Sequence, residues 1–139
     1  MHEYRPFSPE AVRLLPGTFQ QRFDLNRDYV NSLRSDNLLQ SHHQEAGLGS
    51  RGPLRNTMHG DPASGDDFHW GWESPTCQVR GHFLGHWLSA AARIYASTGD
   101  AELKLRADFI VSELSRCQEK NGGGWVGSIP EKYLYRTAD

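Results

Sequence analysis

Apolar residues recur at helical spacing in three stretches of the chain. In residues 18–33 they are Phe19, Phe23, Val30 and Leu33, with Asn26 as a polar gap. The opposite face carries Gln20, Arg22, Arg27, Asp28 and Asn31, a solvated surface. The spacing predicts a helix here, with Thr18 as its N-cap. In residues 76–97 the stripe is Val79, Phe83, Trp87, Ala90 and Ile94, and in 101–119 it is Leu103, Ala107, Ile110, Leu114 and Cys117. Thr98-Gly99-Asp100 joins these two, with Gly99 ending one helix and Asp100 capping the next. So short a link predicts an antiparallel α-hairpin, with the first helix packed beside it. No strand pattern of useful length occurs, and the predicted fold class is all-α.

Elsewhere the periodicity fails. Residues 1–17 read as an extended arm with Pro6, Pro9 and Pro16, closed by the Pro16-Gly17 turn signal. Residues 35–75 read as a long loop, with six glycines and two prolines between Gly47 and Gly71. The loop ends in Phe68, His69, Trp70 and Trp72, and that aromatic content predicts an ordered second half lying over other structure. Asn121-Gly122-Gly123-Gly124-Trp125 is a second loop, carrying one large aromatic.

Composition narrows the classes. At 139 residues with 37% hydrophobic content the chain fits one domain with a sizeable core. A formal charge of -2 gives no footprint for nucleic acid or an anionic membrane. No apolar run approaches the ~18 residues that span a bilayer, and the first residues lack a signal-peptide core. The expectation is a soluble, cytoplasmic protein. Two cysteines, Cys77 and Cys117, make no disulfide scaffold and lack the C-x-x-C spacing. Cys117 continues an apolar stripe as a core residue. Cys77, just before the predicted helix start, reads as an inert thiol or one activated by the helix dipole.

The candidate chemistry centres on Arg80-Gly81-His82-Phe83-Leu84-Gly85-His86. Two histidines four residues apart share a helical face, and two glycines allow a neighbour or ligand close to the backbone. A zinc-protease motif needs glutamate after the first histidine, where Phe83 stands, and no third ligand is evident. Three readings stay open: an unspecified metal site, histidines bonded to backbone in a core, and histidines facing a polar cavity that takes a hydroxylated ligand. Trp72-Glu73 suits a sugar, the indole stacking and the carboxylate taking hydroxyls. Equally, Trp72 can pack over the helix start while Glu73 meets its dipole. Trp125 reads as a loop plug or a stacking platform. Glu73 and Glu131 are a weak candidate for a glycosidase acid and base, since nothing fixes their separation.

An ordered set of segments resembles one family. It comprises Leu14-Leu15-Pro16-Gly17, Leu25-Asn26-Arg27-Asp28-Tyr29, Gly71-Trp72-Glu73-Ser74, the segment from Arg80 to Ala90, Thr98-Gly99-Asp100, Ala107-Asp108, Glu113-Leu114 and Cys117-Gln118. Together they resemble the N-terminal part of glycoside hydrolase family 127, the β-L-arabinofuranosidases. Residues 49–70 do not match and read as a variable insertion. The resemblance implies part of an α/α barrel, a toroid of helical hairpins around a sugar-binding centre. It implies a family that removes L-arabinofuranose with retention, using a zinc-bound cysteine thiolate and a glutamate acid/base. Those catalytic and zinc-binding motifs lie in a later part of the family's chain and have no match here. The expectation is therefore a portion of a catalytic domain, inactive alone, without catalytic residues or a metal of its own. His82, His86, Trp72, Glu73 and Trp125 are the expected sugar-binding residues. The alternative is a non-catalytic helical module that binds carbohydrate or a partner.

Overall fold

The computed structural model describes residues 4–49, 69 and 71–135. Its helices are α1 (Thr18–Ser32), α2 (Ser35–Glu45), α3 (His82–Thr98), α4 (Ala101–Lys120) and the short α5 (Lys132–Tyr135). Single 3-10 turns occur at Pro9–Ala11 and Gly71–Glu73, and no strand occurs among the described residues. The fold is all-α. No helix among these residues is long and apolar enough to cross a membrane.

The α3–α4 hairpin forms as the spacing predicts. Gly99 ends α3 in the left-handed region at φ 72°, where a side chain is costly. The Asp100 carboxylate accepts from the Leu103 N–H at 3.1 Å, capping α4. Asp100 also takes a hydrogen bond from Arg27 Nε at 2.7 Å, which ties α1 to the hairpin turn. The Leu103 N–H and then Arg27 hold its carboxyl below the usual range.

The core joins Val30 of α1, Leu38 and Leu39 of α2, Leu84, Trp87, Ala91 and Ile94 of α3, and Leu103 and Ile110 of α4. Trp87 is its largest member, 1% exposed. Its indole N–H donates to Val30 O at 2.9 Å, so the polar edge is not left unpaired. Arg106 lies over the same indole, 5.2 Å from the ring centroid. The same guanidinium donates to the carbonyls of Asn31 and Leu33, closing the C-terminal end of α1. Cys117 is buried as expected, and burial pushes its thiol pKa up.

Three expectations need correction. The first helix of the hairpin starts at His82, not at residue 76, because Gly81 sits at φ 80° and turns the chain. Val79 therefore leaves the stripe and is 50% exposed, while Leu84 and Ala91 enter the core. Cys77 also loses its place beside a helix start. Second, Gly17, not Thr18, occupies the N-cap of α1, and Phe19 points outward, 80% exposed.

Third, residues 35–75 are not all loop, since α2 occupies Ser35–Glu45. Its buried positions are Asn37, Leu38, Leu39, Gln40, Ser41 and His42, so the inward side is mostly polar. An apolar-periodicity test cannot see such a helix. Specific bonds hold it instead. Gln40 Nε2 donates to His69 O at 2.8 Å and to Glu73 O at 2.9 Å. His43 Nε2 meets Glu113 Oε2 of α4 at 3.0 Å. Of the expected ordered half-loop, His69 is anchored on Gln40 and stands edge-on to Phe83. Phe68 and Trp70 lie outside the described residues.

Candidate functional site

The start of α3 is built by residues distant in sequence. A helix leaves its first N–H groups without intrahelical partners. Here Glu73 supplies them from the preceding 3-10 turn. Its carboxylate accepts from the Gly81 N–H at 2.6 Å and from the Phe83 N–H at 3.0 Å. Glu73 is buried, so this is a desolvated, charge-assisted clamp. Gln40 fixes the backbone of the same residue from below. On the other side, Ser128 donates to Arg80 O at 2.6 Å. A side chain on Gly81 would meet Ser128 Cβ at 2.4 Å and His42 Cε1 at 3.0 Å. Gly81 is thus required both by its positive φ and by this close approach.

The clamp sets the position of His82, the first residue of α3. His82 and His86 are exposed and face each other, with Nε2 atoms 2.9 Å apart and rings nearly perpendicular at 83°. The Trp72 ring lies 6.3 Å from that of His82, tilted by 43°. Trp72 is 71% exposed, an indole presented rather than packed.

Trp125 approaches from the glycine-rich loop after α4. Its indole N–H donates to Ile129 O at 2.8 Å, and Asn121 Nδ2 reaches its carbonyl at 3.2 Å. The ring lies on Gly127, where any Cβ would come within 2.2 Å of it. Trp72, His82 and Trp125 together line one open groove of about 590 Å³. Its lining also includes the buried Gly81, Ser128 and His42. Burial, and then the neighbouring His43, push the His42 pKa down to about 4, so this ring is neutral near pH 7. A second cleft of about 690 Å³ separates the N-terminal arm from the end of α3. Its lining includes Val12, Leu14, Phe23 and Tyr95 but no histidine or tryptophan, which makes it the poorer candidate.

Of the five expected site residues, the structure brings Trp72, His82 and Trp125 to one groove and sets His86 against His82. Glu73 does not join them: its carboxylate is turned under the helix start, the dipole reading of that residue. The glycines also divide. Something approaches Gly81, while nothing lies within 4 Å of a Cβ on Gly85. His42 and Ser128 were not legible as groove residues. The only available signal was the paired His42-His43, which falls where the apolar pattern fails.

Zinc held by cysteine thiolates, which the family resemblance implies, does not fit the residues here. Cys117 is sealed in the core, and no group of three or more His, Cys, Asp or Glu among the described residues could hold an ion.

No curated protein and no solved structure matches the chain. The profile of the family described as "Beta-L-arabinofuranosidase, GH127 catalytic domain" matches residues 11–137. Since that match spans nearly all 139 residues and includes every residue of the groove, the chain belongs to the glycoside hydrolase family 127 catalytic-domain family.

Proposed function

We propose that the Trp72–His82–Trp125 groove is a sugar-facing surface of an arabinofuranosidase-like catalytic domain, and that this chain by itself binds carbohydrate without hydrolysing it. The family acts on carbohydrate. The observation that carries the reading is the convergence of two indoles and an imidazole, from three separate segments, on one groove. Indole faces suit the apolar face of a sugar ring, and the exposed Nε2 atoms of His82 and His86 can bond hydroxyls. Glu73 acts as a positioning residue, holding the backbone from which His82 projects.

Two features of this chain support the absence of hydrolysis. A retaining mechanism needs a nucleophile and an acid/base on either side of one bond. The Cys117 thiol is buried with a raised pKa, and the Glu73 carboxylate is spent on backbone N–H groups. The same reading places the α3–α4 hairpin as one unit of an α/α toroid. Leu105 and Phe109, one turn apart and exposed on α4, suit a face that a neighbouring hairpin would cover. L-arabinofuranosides are the substrate class that the resemblance implies. The second reading is a non-catalytic helical module that binds carbohydrate or a partner.

A chromogenic β-L-arabinofuranoside assayed with this chain at high concentration should give no turnover. Turnover abolished by Cys77→Ala or Glu73→Gln would show that the chemistry lies within these residues after all.

A further inference from the structure

The His82–His86 pair has a second chemistry available to it. We infer that it is a chelating site for a divalent transition metal that favours tetragonal geometry, Cu²⁺ first and Ni²⁺ after it. The two Nε2 atoms are already 2.9 Å apart on successive turns of one helix. Imidazole nitrogens sit about 2.0–2.1 Å from such an ion. Both rings are exposed, so small rotations can turn both Nε2 atoms onto one ion as adjacent ligands of a square or tetragonal site.

Binding takes both rings as the Nδ1–H tautomer. The ring that carries its proton on Nε2 in this contact transfers it to Nδ1 through solvent, to which both rings are open. Water fills the remaining positions, since no group of three or more ligating side chains occurs among the described residues. The buried Glu73 carboxylate, bonded to the first N–H groups of α3, offsets the positive helix end that a cation would otherwise face. This site stands on the histidine geometry alone and does not depend on carbohydrate binding. One consequence does rest on the sugar reading: an ion on both Nε2 atoms competes with sugar hydroxyls for them.

Copper titration of the full chain, followed by calorimetry and frozen-solution EPR, tests the site. The expected spectrum is tetragonal, with splitting from two nitrogens. His86→Asn should weaken the binding by about tenfold or more. Trp72→Phe should leave the affinity intact while removing the part of the fluorescence quenching that comes from the neighbouring indole. His2, His42, His43, His59 and His69 remain in every variant and set the background. If His86→Asn and the His82→Asn/His86→Asn double variant bind Cu²⁺ with wild-type affinity and spectrum, the ion sits elsewhere and the inference fails. Copper binding without any effect of sugar would leave the metal site standing and count only against the carbohydrate reading.

Discussion

Gly81 and Gly85 stand four residues apart and meet opposite surroundings. At Gly81 an alanine methyl would lie 2.4 Å from Ser128 Cβ, on a backbone at φ +80°. Strain in the left-handed region and overpacking should together lower stability by about 2–4 kcal/mol. At Gly85 nothing lies within 4 Å and the backbone is helical, so alanine there should stabilise by about 0.5–1 kcal/mol. Urea midpoints of the two variants should move in opposite directions. A Gly81→Ala protein as stable as the parent would remove the close approach on which the groove depends. The sequence marked both glycines alike, because spacing along a helix says nothing about which one is the turn before it. Glu73 was ambiguous for a related reason. A carboxylate beside a tryptophan has the same composition whether it faces a sugar or a helix start, and only the direction of the side chain decides.

The α2 helix is the element that the hydrophobic pattern hides. Two leucines among Asn37, Gln40, Ser41 and His42 give no apolar stripe, yet all six are buried. The hairpin was legible because its inward positions are apolar at regular spacing and its turn carries both capping residues, Gly99 and Asp100. Burial of His42 has a measurable consequence. Its pKa falls from 6.5 to about 4 in the folded protein, so between those values the unfolded chain binds a proton that the folded chain refuses. Stability from this group is therefore present above pH 6.5 and lost as the pH falls toward about 4, by a total on the order of 3 kcal/mol. Urea unfolding from pH 7 down to pH ~4.5 should show His42→Gln losing less stability than the parent. Equal slopes for the two proteins would mean that His42 is not held neutral by its surroundings.

Across the whole molecule, the helical class and the order of the hairpin could be read from period and caps, and the family from an ordered set of short segments. The groove could be read only in part. Trp72, His82 and Trp125 were legible by type, but their meeting depends on α2, Glu73 and Ser128 holding the start of α3 against the loop after α4. That assembly is the central claim, and the imidazole resonances of His82 and His86 report on it directly. Titration of the chain with L-arabinose, followed by ¹H–¹⁵N or ¹H–¹³C correlation of the histidine side chains, should shift both. Hydroxyl contacts of about 0.5–1.5 kcal/mol each imply weak, saturable binding. The remaining histidines should stay still, apart from His42, which also lines the groove. Saturable shifts at His82 and His86 that vanish in Trp72→Ala are the predicted result, and no movement at either ring up to high sugar concentration would contradict it.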